Sequence, residues 1–381
     1  MMETRSRLPD IGTSIFAVMS KMAQEHGAIN LSQGFPDFDV SETLIGLVHR
    51  QMKAGHNQYA PMPGVPSLRQ TIAEVIFQTY KHKADPDTEI TITAGGTEAI
   101  FATIAGLVGP GDEVIVFDPS YDCYDPAIRL NGGTPVPVNI LPPGFAIDWD
   151  QVKSKITPRT RMIMVNTPHN PSGAVLRAED LKILEGIVND HGILVLSDEV
   201  YERIIFDQWQ HQSVMRFPGL AANSIAVFSF GKTFHATGWK VGYAVAPAKI
   251  SKEIRKAHQF ITFSVNTPVQ MALAEYMQQP SHYLGLANFY QQKRDFFLDQ
   301  IKGSSFRPLD CHGSYFQLLS YKGVSSKPDV EMAEWLTKTH KLASIPVSVF
   351  YKDRTDNQLL RFCFAKGEGT LKAAGEILNR F

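Results

Sequence analysis

Seven short apolar runs, separated by longer stretches of helical periodicity, constrain the fold of this chain more than any other feature. They lie between about residues 88 and 247. The runs are Ile90–Thr93, Glu113–Phe117, Pro135–Ile140, Arg161–Asn166, Ile193–Ser197, Ile225–Phe230 and Val241–Ala246. Most are apolar throughout rather than alternating, which is typical of parallel strands buried on both faces. The pattern predicts a doubly wound α/β domain with a seven-stranded, mostly parallel sheet and helices on both faces.

The chain changes character after Pro280. A polar helical stretch, Tyr283–Lys302, leads into strand-like runs near Ser314–Leu319 and Gln358–Phe364, and helical patterns cover Val330–His340 and Thr370–Phe381. These elements predict a smaller α+β domain. The N-terminal arm (residues 1–38) could pack on either domain from its sequence, and we assign it to the small one. The predicted division is therefore arm 1–38, large domain 39–280 and small C-terminal domain 281–381.

Charge and cysteine content exclude several classes of function. Lys and Arg number 37 against 38 Asp and Glu, so a net charge of −1 offers no field to attract nucleic acid or anionic lipid. The longest apolar run, around 99–109, is too short to span a bilayer, and the first residues contain no apolar signal segment. The three cysteines show neither disulfide nor metal-ligand spacing. We expect a cytoplasmic enzyme that has no metal, no nucleic-acid partner and no membrane partner.

Ligands of open α/β sheets bind beyond the carboxyl ends of the strands, so polar residues at those positions are the candidates for chemistry. Ala94-Gly95-Gly96-Thr97 follows the first run and opens a helix, where unpaired amides and the helix dipole suit a phosphate. The alternative is a tight connection without a ligand. Neither GxGxxG nor GxxxxGK[ST] is present, which argues against a nicotinamide or ATP site.

Two further strand ends carry an amide and an acid. Asn170 follows the fourth run in NTPHNPSG, where prolines restrict the chain and would hold its amide rigidly. The alternative is a structural turn. Asp198 ends the fifth run and precedes Tyr201 by three residues; a buried carboxylate there needs a cationic or hydrogen-bonding partner. The alternative for Asp198 is a helix cap or an internal salt bridge.

Lys232 follows the sixth run, among aromatic residues and glycines, where desolvation lowers a lysine pKa toward that of a usable nucleophile. A surface lysine is the alternative. Four such strand-end features in one domain can converge on one ligand, and together they supply a phosphate site, an amide donor, a buried acid with a nearby phenol, and a reactive amine. This combination suits pyridoxal 5'-phosphate.

Three segments carry a family resemblance. Asn166–Gly173 (NTPHNPSG), Ser197–Tyr201 (SDEVY) and Ser229–Tyr243 (SFGKTFHATGWKVGY) match, in order and spacing, the signatures of the class I aminotransferases of fold type I. Within that family the chain is most similar to bacterial methionine aminotransferase and the kynurenine aminotransferases, through segments NLSQGFPDF, QYAPMPG, SYDCY and LRFCFAK. The resemblance implies a fold type I transferase dependent on pyridoxal phosphate.

The resemblance also implies roles around the cofactor ring. Lys232 would bind the cofactor as a Schiff base and move the proton between the substrate Cα and the cofactor. Asp198 would pair with the pyridine nitrogen and keep it protonated, which makes the ring an electron sink. Asn170 and Tyr201 would bond the phenolate oxygen, and Tyr121 would stack on the ring.

The phosphate site is implied in the same way. Gly96 and Thr97 would contribute amides, Ser229 and Lys240 side chains, and Tyr59 would reach the phosphate from the other subunit of a homodimer. Lys240 departs from the family pattern, in which many members have arginine eight residues after the Schiff-base lysine. A lysine still binds phosphate but lacks the two-pronged geometry of a guanidinium.

Substrate binding is implied for Arg361, which lies in a strand-like run where an unpaired charge is costly. It would grip the α-carboxylate while the Gly34 region closes over it; a structural salt bridge is the alternative. Phe16, Tyr59 and Tyr121 would line the side-chain pocket, and such walls suit methionine, leucine, aromatic amino acids or kynurenine, with a 2-oxo acid as acceptor. The rival readings are a cysteine-S-conjugate β-lyase, a pyridoxal-binding regulatory module and an inactive scaffold.

Overall fold

The computed structural model describes residues 5–381. The strands are β1 (Ile29–Asn30), β2 (Ile90–Thr93), β3 (Glu113–Asp118), β4 (Thr134–Asn139), β5 (Thr160–Asn166), β6 (Leu194–Asp198), β7 (Ser224–Ser229), β8 (Gly242–Val245), β9 (Arg307–Pro308), β10 (Phe316–Ser320), β11 (Leu342–Ala343), β12 (Ile345–Pro346) and β13 (Leu359–Cys363).

The helices alternate with the strands over most of the chain. They are α1 (Ile15–Glu25), α2 (Glu42–Lys53), α3 (Pro66–Tyr80), α4 (Gly96–Leu107), α5 (Tyr124–Leu130), α6 (Trp149–Ser154), α7 (Ala178–His191), α8 (Pro218–Ala221), α9 (Phe230–Thr233), α10 (Ala248–Ile261), α11 (Thr267–Tyr276), α12 (Ser281–Leu284), α13 (Leu286–Gln300), α14 (Asp329–His340) and α15 (Glu368–Leu378). Short 3-10 turns occur at Val214–Arg216, Thr237–Trp239 and Ser348–Phe350.

The large sheet has the strand order β2-β8-β7-β6-β5-β3-β4. All seven predicted runs form its strands, so the predicted seven-stranded, mostly parallel sheet is confirmed. Strand β8 alone runs against its two neighbours, β2 and β7. The edge strand β4 contains Pro135 and Pro137, which cannot donate to a ladder and are tolerated at an edge. The carboxyl ends of β3, β5, β6 and β7 therefore meet along one side of the sheet.

Both faces of this sheet are buried because alternate residues of each strand enter different cores. In β3, Val114 and Val116 pack with α4, α5 and α10, whereas Ile115 and Phe117 belong to the larger core that also contains residues of α7. Side chains of a strand alternate between faces, so two cores on alternating residues require helices on both sides. The apolar character of the predicted strands is explained by this double burial.

The C-terminal part forms the smaller α+β domain. Its four-stranded antiparallel sheet has the order β12-β13-β10-β9, and α13 packs with α15 beside it. Residues of the proposed N-terminal arm contact this part of the chain: β1 pairs in parallel with β11, and the Cys363 amide donates to the Leu31 carbonyl at 2.8 Å. The proposed boundaries at 38 and 280 fall between elements, and residues 1–4 of the proposed arm lie outside the described residues.

Candidate active site

A cavity of about 210 Å³ lies at the carboxyl ends of the large-sheet strands. The residues that line it are Phe16, Gln33, Gly34, Gly95, Gly96, Thr97, Ile100, Tyr121, Asn166, Asn170, Asp198, Val200, Tyr201, Ser229, Gly231, Lys232, Thr237, Lys240, Val241, Phe316 and Arg361. Every predicted site residue except Tyr59 is among them. The sheet, the N-terminal arm and the small domain thus contribute to one site.

The turn after β2 opens the cavity at the start of α4. Gly95 has φ +81°, a left-handed conformation that favours glycine, and it directs the chain into the helix. Gly242 of β8 packs against this turn so closely that a Cβ there would lie 2.9 Å from the Gly95 carbonyl carbon. The amino group of Lys240 lies beside the turn, 3.3 Å from the point that a Cβ on Gly95 would occupy. The backbone amides at the start of α4 and the charged amino group of Lys240 therefore face the same part of the cavity.

Asp198 ends β6 and is 4% exposed. Its Oδ2 accepts a hydrogen bond from the Tyr124 hydroxyl at 2.6 Å, and its Oδ1 accepts one from the Val200 amide at 3.3 Å. Burial raises the pKa of this carboxyl to about 6, although the hydrogen bonds oppose the shift. Within residues 5–381 no cationic side chain forms a salt bridge with it, so the salt-bridge alternative is not met.

Lys232 lies in the short helix α9, directly after β7. Its amino group donates to the Tyr315 hydroxyl at 2.8 Å and is 3.3 Å from the Gly34 carbonyl oxygen. Burial lowers the pKa of the amine to about 8, which keeps a substantial neutral fraction near physiological pH. The lysine is therefore a usable nucleophile rather than a surface charge.

Arg361 of β13 is 1% exposed and meets Asn170 across the cavity. Its guanidinium donates to Asn170 Oδ1 at 2.8 Å and to the Ser32 carbonyl at 3.0 Å, and it lies 3.9 Å from the centre of the Phe316 ring. The Nε atom is buried without a hydrogen-bond partner, and among residues 5–381 no carboxylate forms a salt bridge with the group. Burial lowers the arginine pKa to about 10. A buried cation with an unused donor is suited to an anionic ligand.

Aromatic side chains form the remaining walls. Tyr201 is buried, and its ring lies 5.6 Å from the Lys232 amine. Phe16 lies 5.1 Å from the Arg361 guanidinium, and Tyr121 contacts Tyr124 edge to face at 5.8 Å. These rings surround the space between the lysine and the arginine.

Tyr59 stands apart from the cavity of its own chain. Its side chain is 82% exposed and touches the ring of Phe263, which is also partly exposed. The predicted role of Tyr59 is to reach the phosphate bound by the other subunit. The structure contains one chain, so this role stays a prediction.

A comparison with known families decides the class of protein. The model of the family described as aminotransferase class I and II matches residues 26–377. The chain belongs to this aminotransferase family. It is 51% identical to methionine aminotransferase of Escherichia coli K12 over 99% of this chain and 98% of that protein. It is 32% identical to human kynurenine–oxoglutarate transaminase 1 over 98% of this chain and 97% of that protein.

Solved structures of aminotransferases match the fold. An Escherichia coli protein described as having a methionine aminotransferase function aligns with a TM-score of 0.98 at 50% identity, over 100% of both chains. The N-succinyldiaminopimelate aminotransferase from Mycobacterium tuberculosis aligns with a TM-score of 0.95 at 36% identity, over 99% of this chain and 100% of that one. The predicted fold type I architecture of the aminotransferase is confirmed.

Aminotransferases of this family depend on pyridoxal 5'-phosphate, and the cavity fits that group. Three cationic side chains, Lys232, Lys240 and Arg361, face a single carboxylate, Asp198, among the lining residues. Such an excess of positive charge suits the phosphate of a cofactor and the carboxylate of a substrate. The buried Asp198 has no cationic partner in the described chain, which leaves it available for a protonated ring nitrogen.

Among the contributors to the site of the aminotransferase that sequence reasoning missed are Gln33, Tyr124, Asn166 and Tyr315. Tyr124 lies in the SYDCY segment, three residues after Tyr121, which places both rings near one another at the start of a helix. Asn166 ends β5 and binds the Asp198 carbonyl with its amide at 2.9 Å. The strand-end rule that found Asp198 applies equally to Asn166, whereas Tyr315 carries no comparable signal.

In the described part of the chain, residues 5–381, no helix is long and apolar enough to cross a membrane. Over the same residues, no group of three or more His, Cys, Asp or Glu side chains is arranged to hold a metal ion.

Proposed function

We propose that this aminotransferase moves the amino group of methionine, or of another apolar or aromatic L-amino acid such as kynurenine, to a 2-oxo acid. The observation that supports this proposal most directly is the position of the Arg361 guanidinium. It is buried between aromatic walls and lies across the cavity from the Lys232 amine. An α-carboxylate on Arg361 would direct the amino acid side chain along Phe16 and Tyr121. Arg361 is the one arginine among the cavity residues of the described chain, so the arrangement favours substrates with a single carboxylate. The names of the relatives agree with this substrate class.

The residues assigned to the cofactor follow from the chemistry of the cavity. Gly96 and Thr97 amides, with Ser229 and Lys240, would hold the phosphate, and Asp198 would hold the ring nitrogen in its protonated form. Asn170 and Tyr201 would bond the ring oxygen. When bound, pyridoxal phosphate supplies an electron sink that stabilises negative charge at the substrate Cα.

Lys232 would perform two tasks in sequence. Its neutral amine would hold the cofactor covalently, and the same amine, when free, would accept a proton from the substrate Cα and return it. A pKa of about 8 suits both tasks, because the group can gain and lose a proton near physiological pH. Tyr315 and the Gly34 carbonyl bond the amine and hold it in the cavity.

We further propose a homodimer in which Tyr59 of each subunit reaches the phosphate bound by the other. Its 82% exposure and its distance from its own cavity support this assignment. The exposed ring of Phe263, which contacts Tyr59, would be covered by this subunit contact. Three free thiols are compatible with the reducing conditions of the cytoplasm, where we expect the enzyme to act.

A panel of amino donors tests the proposal. Methionine, phenylalanine, leucine, kynurenine and aspartate are each offered with several 2-oxo acids, with Lys232→Ala as the inactive control. We expect apolar and aromatic donors to exceed aspartate in kcat/KM, and Lys232→Ala to lose turnover and the cofactor linkage that borohydride fixes. Preference for aspartate would contradict the substrate assignment, and a fixed cofactor in Lys232→Ala would contradict the lysine assignment.

The same panel addresses the β-lyase reading. Release of pyruvate and ammonia from a cysteine S-conjugate without any 2-oxo acid would have to exceed transamination for the lyase to be the main activity. The relatives named above are all aminotransferases.

A further inference from the structure

His258 lies in the last turn of α10 and is fully buried, yet no part of it lines the cavity. Both of its ring nitrogens lie within hydrogen-bond distance of acceptors. Nδ1 is 3.0 Å from Oε1 of Glu98, and Nε2 is 3.1 Å from the carbonyl oxygen of Met62. The imidazole therefore bridges helix α4 and the segment that precedes α3.

The backbone acceptor determines the position of one ring hydrogen. A backbone carbonyl cannot donate, so Nε2 carries a hydrogen. Glu98 accepts a second hydrogen bond from the Ala94 amide at 3.0 Å and lies in the first turn of α4, where the helix dipole stabilises negative charge. The carboxyl of Glu98 therefore lies between the Nδ1 atom of His258 and the Ala94 amide, and it contacts both.

Glu98 connects His258 to the turn Ala94–Thr97, which would bind the cofactor phosphate. Its other oxygen, Oε2, holds the Ala94 amide, the first residue of the turn Ala94–Thr97. The turn is not held by a cap side chain at Gly95, because glycine has none. Two side chains therefore hold the entry of the turn: the Glu98 carboxylate, which His258 contacts, and the Thr93 hydroxyl, which donates to the Gly95 carbonyl at 3.1 Å.

The other end of the bridge holds the segment Gln58–Gly64. His258 contacts this segment at the Met62 carbonyl. Ser264 contacts it as well, because its hydroxyl donates to the Ala60 carbonyl at 3.0 Å. The segment also carries the exposed Tyr59. One buried side chain thus connects the turn that would hold the subunit's own phosphate with the segment that would reach the partner's phosphate.

We propose that His258 is a positioning residue for cofactor binding: with Glu98 it holds the Ala94–Thr97 turn in the form that presents its amides to the phosphate. The proposal rests on the proposed function, in which this turn binds the cofactor phosphate. His258 acts through Glu98 and the turn rather than by touching the ligand.

The test compares His258→Asn with Ser251→Ala in the purified full-length protein. Ser251 is a matched control because it is also buried on α10 and bonds a backbone carbonyl, that of Ala246 at 2.9 Å, but it does not touch the turn. Pyridoxal phosphate is titrated into each apoprotein, and the ³¹P resonance of the bound phosphate is recorded. We expect His258→Asn to weaken cofactor binding about tenfold, to shift the ³¹P resonance, and to keep kcat at saturating cofactor. Ser251→Ala should match the wild type in all three.

A second variant covers the case in which His258→Asn does not fold. Glu98→Gln keeps the shape of the side chain but removes its charge, and should weaken cofactor binding in the same direction. If His258 acts through Glu98, the double variant should bind the cofactor no more weakly than the poorer single variant. Additive losses would overturn the coupling.

Nitrogen NMR of the wild-type apoprotein labelled at histidine tests the two contacts directly. We expect Nε2 of His258 to carry the hydrogen that the Met62 carbonyl accepts, and the Nδ1 resonance to shift in Glu98→Gln. An unchanged Nδ1 resonance in Glu98→Gln, or cofactor affinity and ³¹P shift of His258→Asn equal to those of Ser251→Ala, would overturn the proposal. An inactive wild type with intact cofactor binding would instead overturn the proposed function.

Discussion

At the residue scale, the amine of Lys232 shows how burial prepares a group for chemistry. An ordinary lysine is almost fully protonated at neutral pH, but burial brings this pKa down to about 8. The two groups that bond the amine, Tyr315 and the Gly34 carbonyl, come from the small domain and the N-terminal arm. The reactive group of one domain is thus held by the rest of the chain.

The lowered pKa predicts how the apoprotein captures pyridoxal phosphate. Only the neutral amine attacks, so the rate constant should rise about tenfold per pH unit below pH 8 and level off above it. Stopped-flow absorbance measures this rate, with Lys232→Ala as the blank. A rate that still rises tenfold per unit above pH 9 would contradict the lowered pKa.

The same shift has a consequence for stability. Because the folded-state pKa lies below the value in the unfolded chain, the unfolded chain binds more protons between about pH 8 and 10.5. The contribution of Lys232 to the stability of the apoprotein therefore rises with pH across that window.

Sequence reasoning found the cavity residues that follow strands, because a strand end is visible as a pattern. It did not find Tyr124, whose role depends on a hydrogen bond to Asp198, 74 positions away. Likewise His258 lies inside an amphipathic helix and has no motif of its own. Such partners are set by packing between elements, which spacing along the chain does not encode.

At the scale of elements, the sequence predicted which runs are strands but not the direction of β8. A strand buried on both faces is apolar throughout whether it runs parallel or antiparallel, so its composition contains no directional signal. The reversal has a structural effect, since β8 places Gly242 between Thr93 and Ser229, the last residues of β2 and β7. The first residue of β8 therefore lies beside the Ala94–Thr97 turn.

Gly242→Ala tests this close contact. A Cβ at this position would lie 2.5 Å from the Phe228 carbonyl oxygen and 3.0 Å from the Gly96 nitrogen, so the turn must move. We expect weaker cofactor binding and a free energy of unfolding lowered by about 1–3 kcal/mol. Calorimetry and cofactor titration measure the two effects.

Gly186→Ala serves as the control, because it lies on helix α7 with nothing within 4 Å of a new Cβ. It should leave cofactor binding unchanged and stabilise the protein by about 0.5–1 kcal/mol. Equal behaviour of the two variants would show that the contact at Gly242 is unimportant.

At the scale of the whole molecule, each cavity lacks the Tyr59 that the proposed dimer supplies. Tyr59 serves either the site of the partner subunit or the site of its own chain. Mixed dimers of Lys232→Ala and Tyr59→Phe subunits distinguish these two arrangements. If Tyr59 serves the partner's site, one of the two sites carries both changes and the other carries neither. We therefore expect about half of the wild-type activity with wild-type cofactor affinity, measured on dimers purified through two different tags.

If Tyr59 instead served its own site, no site in the mixed dimer would be intact. The surviving activity would then show the weakened cofactor affinity of the Tyr59→Phe homodimer. That outcome would contradict the shared site and leave the assignment of Lys232 untouched.

The pairing of β1 with β11 affects the order in which parts of the chain can fold during synthesis on the ribosome. Ile29 leaves the ribosome about 310 residues before its partner Leu342. At roughly 5–20 residues per second the first strand waits for about 15–60 s, and the last of the seven large-sheet strands, which ends at Val245, is synthesised before that wait is over. Gly34, whose carbonyl accepts from the Lys232 amine, follows β1 by four residues, so the pairing of β1 with β11 holds the chain near that position. A nascent chain therefore acquires its sheet early and its closed site last.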